Sequence, residues 1–137
     1  MIDLLVNVDV DDLPRAMAFY TQALGLRVGR RFGGAAAELL GASSPIYLLE
    51  NPAGSEPYPG AAAPRDYGRH WTPVHLDVAV PALEPALARA EAAGARREGE
   101  IVERPWGRMA RLADPFGHGI CLLEFRGRGY DEIADPA

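Results

Sequence analysis

The feature that most constrains this chain is that it carries the same pattern twice. Val80, Val78, Asp77, Leu76 and His75 fall, at a constant spacing of 70, on Val10, Val8, Asn7, Val6 and Leu5. In both stretches apolar residues occupy alternate positions, the period of a half-buried strand. Leu5, Asn7 and Asp9 therefore share one face, as do His75, Asp77 and Ala79. The agreement runs on through Leu13 with Leu83, Ala16 with Ala86 and Met17 with Leu87. The copies also end alike, IYLLE over 46–50 against ICLLE over 120–124, so Tyr47 corresponds to Cys121. A duplicated unit of half the chain length is the simplest explanation. At 137 residues the chain is one domain's worth, and two modules, about 1–50 and 74–125, are expected to share its core.

Each module reads strand, helix, then three strands. The first strand is expected over 2–10. Asp11, Asp12, Leu13 and Pro14 suit a helix start, since acidic side chains favour the positive end of the helix dipole and proline is tolerated in the first turn. Leu13, Met17, Tyr20 and Leu24 recur at helical spacing, and Gly25 stands where a left-handed cap ends the helix. Three strands follow, near 26–32, 35–40 and 45–50, with Gly33–Gly34 and 41–44 as turns. The second copy predicts a strand over 74–80, a helix with the stripe Leu83, Ala86, Leu87, Ala90 closed by Gly94, and strands near 95–102, 107–113 and 119–125. A turn at Asp114–Gly117 separates the last two. Between the modules, 51–73 holds too many prolines for regular structure. This connection reads either as a tether or as a lid or interface arm.

Composition excludes several partner classes. Fourteen basic residues, all arginine, against nineteen acidic ones leave a net charge of −5, which argues against nucleic acid or an anionic membrane as partner. No apolar run approaches the roughly 20 residues of a membrane-spanning helix, and the first residues lack the order of a signal peptide, so a cytoplasmic location is expected. Cys121 is the only cysteine. It cannot form an internal disulfide and reads most simply as a small buried side chain.

Two βαβββ units, a first helix reading Asp-Leu-x-x-Ala-x-x-Phe-Tyr-x-x-x-Leu-Gly-Leu over 12–26, and a closing Asp-Pro-Phe-Gly-His-Gly over 114–119 together resemble the vicinal oxygen chelate superfamily. That group includes glyoxalase I, bleomycin-resistance proteins and extradiol dioxygenases. The resemblance spans nearly the whole chain and implies an α+β fold in which the repeats form a curled mixed sheet around a cup-shaped cavity. It further implies pairing into a homodimer, and a divalent metal held by one residue from the first and one from the last strand of each unit. Those positions are Leu5, Tyr47, His75 and Cys121. Leucine has no donor atom, and tyrosine and a lone cysteine poorly replace the His, Glu or Gln that a hard cation requires. No catalytic metal is therefore expected there. A rival metal set, His70, His75 and His118 with Glu50 or Glu124, has suitable donor types but no recognisable spacing.

The remaining face residues are Asn7, Asp9, Tyr47, His75, Asp77 and Cys121, with Trp71 and Trp106 able to stack on a flat ligand or to serve as core or subunit contacts. Buried Asp9 and Asp77 would need partners, for which Arg108 and Arg111 are the candidates. His75 beside Asp77 could also act as a base oriented by a carboxylate. The leading expectation is a metal-free protein that binds a small organic molecule, in the manner of drug-sequestering resistance proteins. The alternative is a glyoxalase-like lyase or isomerase, or a dioxygenase relative, using His75 with a metal or as a general base.

Overall fold

The computed structural model describes residues 1–136. The chain divides into two compact units, Met1–Gly68 and the chain from Arg69 onward. Each packs one helix against one face of a small mixed sheet. The first unit comprises β1 (Val6–Val10), α1 (Leu13–Leu24), β2 (Arg27–Phe32), β3 (Ala36–Leu40) and β4 (Ile46–Glu50). The strands lie in the order β1-β4-β3-β2, with β1 parallel to β4 and the other pairs antiparallel. Val10, Ala37, Leu39 and Leu48 from the sheet and Leu13, Ala16, Phe19, Tyr20 and Ala23 from the helix form the buried seam. Each large side chain among them contributes about 2 kcal/mol through burial. The helix is turned slightly from the expected stripe. Met17 and Leu24 are only half-buried, because Ala16 and Ala23 let the helix backbone approach the sheet and Phe19 and Tyr20 fill the space edge to face, 5.0 Å apart.

The first strand is shorter than the alternation suggested. It begins at Val6, opposite Ile46, because β4 supplies no partner for residues 2–5, and Met1, Ile2, Leu4 and Leu5 are exposed. The second unit comprises β5 (Leu76–Ala79), α2 (Leu83–Ala93), β6 (Arg96–Arg97), β7 (Val102–Arg104), β8 (Gly107–Ala113) and β9 (Gly119–Phe125). Their order is β5-β9-β8-β6, with β7 also on β8. The single strand expected over 95–102 is therefore two short ones. Gly99, at φ +91, turns the chain out between them, a conformation that glycine adopts without strain. The first unit accommodates its own edge differently, by a bulge between Val28 and Arg31.

Both helices are capped by a glutamate near the end of the last strand of their unit. Glu50 accepts the Leu13 amide at 2.7 Å and Glu124 accepts the Leu83 amide at 2.9 Å. In α1 Asp12 adds a bond from Arg15 N at 3.0 Å; in α2 the N-cap is Ala82, with no side-chain cap of its own. Carboxylates at these ends satisfy orphan amides and oppose the helix dipole. Glu124 also takes Arg108 Nε at 3.1 Å, while the Arg108 fork holds Glu84. These bonds correct two sequence expectations. Glu50 and Glu124 serve the helix side of their sheets as caps, so they do not join the histidines as metal donors. Arg108, paired on that same side, is not a partner for Asp77 or Asp9.

The connection has no helix or strand, yet it is tied down. Arg65 donates Nε to Asp9 at 2.8 Å and Nη1 to the Glu56 carbonyl at 2.7 Å, and Asn51 Nδ2 donates to Asp9 at 3.1 Å. Tyr67 donates its hydroxyl to the Asn51 carbonyl at 2.7 Å, and burial pushes the pKa of that hydroxyl above the ordinary phenol value. Residues 51–68 thus belong to the first unit, and Asp9 anchors them. No helix among the described residues is long and apolar enough to cross a membrane.

Candidate ligand site

In each unit the residues of interest project from the sheet face away from the helix. In the first unit the register sets Asn7 opposite Tyr47 and Tyr47 opposite Glu38. Glu38, only 6% exposed, takes Arg30 Nη2 at 2.7 Å and the Tyr47 hydroxyl at 2.9 Å. Tyr47 in turn accepts from Arg30 at 3.1 Å. The Arg30 bonds hold the Glu38 carboxyl down to about 2, far below its usual range. Gly29 makes room for this carboxylate, since a Cβ there would lie 2.6 Å from Glu38 Oε1. With Asp9 committed to Arg65, the acidic and phenolic groups of this face are bonded within the unit.

The second unit is arranged differently. Asp77 pairs in register with Cys121, and Cys121 with Arg111. His75 Nε2 lies 3.2 Å from Asp77 Oδ1. Cys121 is buried, and that burial, reinforced by the Asp77 charge and by a hydrogen bond to Asp77, pushes its thiol up to about 11. The Trp71 ring lies over His75, centroids 4.7 Å apart and planes inclined by 34°. Arg69 also lies over the Trp71 ring, its guanidinium carbon 5.4 Å from the centroid. Arg69, Trp71 and Arg111 line a hollow of about 280 Å³.

The closing turn builds the seat for this tryptophan. Asp114 accepts the amides of Phe116 and His118, each at 2.8 Å, which fixes the 114–119 turn. That turn binds the incoming segment through His70 N to the Gly117 carbonyl at 2.9 Å and through the ring nitrogens of His118 and His70, 3.0 Å apart. Gly119 completes the seat, because a Cβ there would lie 2.0 Å from Trp71 Cε3. Arg69 is held by Glu98 at 2.6 and 2.5 Å, and these bonds keep the Glu98 carboxyl below its ordinary range.

Of the residues the sequence singled out, the second unit gathers His75, Asp77, Cys121 and Trp71. Trp106 stands apart from them. It packs with Phe125 and Tyr130 at 5.7 and 5.4 Å, at the Phe125 end of β9, whereas His75 precedes the strand paired at Ile120. Sequence reasoning missed Arg69, Glu98 and Gly119. The clue for Gly119 was its invitation to close approach just inside a strand.

The superfamily's metal does not fit the four positions. Leu5 offers no donor, and the Tyr47 hydroxyl is bonded to Glu38 and Arg30. Donor atoms of His75, Asp77 and Cys121 do lie within 4.8 Å of one another. Asp77 is hydrogen-bonded to both of the others, His75 and Cys121.

Two mixed βαβββ sheets, each carrying its functional candidates on the face away from the helix, place this chain in the vicinal oxygen chelate superfamily. Within it, the chain belongs to the glyoxalase-like domain family, which it matches over residues 5–123. It is 30% identical over 137 residues to the anthracycline biosynthesis protein DauV of Streptomyces sp. (strain C5), covering 96% of this chain and 44% of that protein. The chain thus spans less than half the length of this relative. Among solved structures, the antibiotic binding protein TnmS3 from Streptomyces sp. CB03234 superposes with a TM-score of 0.65 at 23% identity, covering 92% of this chain and 97% of that one. The fosfomycin resistance protein FosX from Listeria monocytogenes does so with a TM-score of 0.72 at 17% identity, over 98% and 100%. These likenesses fix the fold.

Proposed function

We propose that this protein binds a flat aromatic small molecule on the helix-free face of its second unit, without the superfamily's metal. The observation that carries this reading is the exposed Trp71 ring, 44% accessible, seated on Gly119 and His75 beside a hollow that Arg69 and Arg111 also line. A rigid aromatic platform with polar groups at its margin suits stacking of a planar ligand. The absence of an available donor at Leu5 and Tyr47 supports the metal-free part. A relative in anthracycline biosynthesis and a structural neighbour described as antibiotic-binding are consistent with a polycyclic aromatic ligand. The reading includes a homodimer, whose formation would cover the exposed Val28 and Phe32 on edge strand β2.

The two tryptophans provide the test. In ¹⁵N-labelled protein each gives one indole N–H cross-peak, and Trp106→Phe assigns them. Titration with a panel of naphthalene and anthraquinone compounds is expected to move the Trp71 peak and leave the Trp106 peak in place. Movement of neither, across the panel, would remove the reading. Light scattering at micromolar concentration checks the dimer, and a strict monomer contradicts it.

The contact between His75 and Asp77 favours a second reading, a lyase or isomerase in which His75 removes a proton from the bound molecule. Turnover by metal-free protein that disappears in His75→Ala would establish it.

A further inference from the structure

We propose that the ligand of this face is an aromatic acid, its ring on Trp71 and its carboxylate, or an equivalent oxyanion, held by Arg111. This rests on the reading of that face as a small-molecule site. Three guanidiniums, those of Arg69, Arg96 and Arg111, act on the single carboxylate of Glu98 and together hold it below its ordinary range. They do not share it equally. Arg69 takes it through both Nε and Nη2, and its Nη1 is turned to the His70 carbonyl. Arg96 reaches it only at 3.9 Å. Arg111 has no carboxylate at ion-pair distance among the described residues, and its side chain is exposed beside Trp71.

The other acids nearby are already engaged. Asp114 acts on Arg69, but its carboxylate is bound by two turn amides. Asp77 is paired with His75, and it sits two strands from Arg111, about 10 Å by sheet spacing. A planar guanidinium left without a partner at the wall of a hollow is suited to bidentate capture of a carboxylate, an interaction stronger than a neutral hydrogen bond. A cationic ligand would meet Arg69 and Arg111 and be repelled. The first unit supplies the contrast at the matching register position. There Glu38, facing Tyr47 as Arg111 faces Cys121, is fully answered by Arg30, so no charge is left over for a ligand.

The experiment compares 2-naphthoate with its uncharged isostere 2-naphthamide, followed through the Trp71 indole cross-peak in Trp106→Phe protein at neutral pH. Naphthoate is expected to bind at least about tenfold more tightly, the difference that a charge-assisted bidentate pair provides. Arg111→Gln should bring the two affinities together by weakening naphthoate while sparing naphthamide, and added salt should weaken naphthoate alone. Equal binding of both probes, or preference for the amide, overturns the anion assignment while the stacking site stands. If neither probe moves the Trp71 peak at millimolar concentration, the site reading fails and the assignment with it.

Discussion

The two units start from one pattern and use their helix-free faces in opposite ways. At equivalent registers the first presents Tyr47 and Glu38 and the second Cys121 and Arg111. Arg30, Glu38 and Tyr47 close a ring of hydrogen bonds, and Asp9 is spent on pinning the connection through Arg65. The second face keeps an unanswered arginine and an exposed indole, held in place by a turn whose own polar groups are satisfied. Duplication makes this division possible: with two sheets built on one pattern, one can commit its polar groups to its own structure while the other leaves an arginine and an indole exposed.

The comparison can be broken most violently at Gly107, a position where the second sheet runs beyond the length of the first. Gly107 adopts φ +148, and a Cβ there would meet the Glu124 carbonyl oxygen at 2.0 Å. Gly107→Ala should lower Tm by about 10 °C or more, or prevent folding, as thermal unfolding would show. Next come Leu48→Ala and Leu122→Ala, matched core positions with 0% and 1% exposure. Each should cost about 3 kcal/mol in urea unfolding, and a marked inequality would mean that the two cores are not equivalent.

The faces themselves are separated by a crossed pair of substitutions. Glu38→Gln should lower stability and spare probe binding, whereas Arg111→Gln should do the reverse. The pH dependence follows from the same contact. Glu38 sits at about 2 against an ordinary 4.5, so its stabilisation is present above the ordinary value and is lost as pH falls toward 2. Glu84, held at about 2 by Arg108, adds a similar loss in the second unit. Melting curves between pH 5 and 2 should therefore fall, and fall less steeply in Glu38→Gln. Of least consequence for the fold, Cys121 should react with a thiol reagent at pH 8 on the order of a hundredfold more slowly than in urea, because its thiolate is scarce and buried.

Much of this architecture was legible because the repeat is strong. The spacing of apolar residues placed both helices, and Gly25 and Gly94 marked their ends. The matched endings of the two copies even held the clue to the caps, since Glu50 and Glu124 recur at the same place. What hid their role is distance: each caps a helix start 37 or 41 residues away in sequence. The break at Gly99 was hidden because glycine tolerates either a strand or a turn. For the site, Arg108 and Arg111 stand three apart, so a single strand must send them to opposite faces. Which of them lies on the helix-free face follows only from the register against β9. Asp9 misled because its partner, Arg65, lies in a connection whose path no periodicity describes.

The proposed site would hold a flat ligand through Trp71 and Arg111 without a cation. Calorimetric titration of chelator-treated protein with 2-naphthoate, repeated after addition of zinc or manganese, tests this directly. The same affinity in all three preparations is the result predicted here. Binding that vanishes on chelation and returns with one equivalent of metal would contradict it.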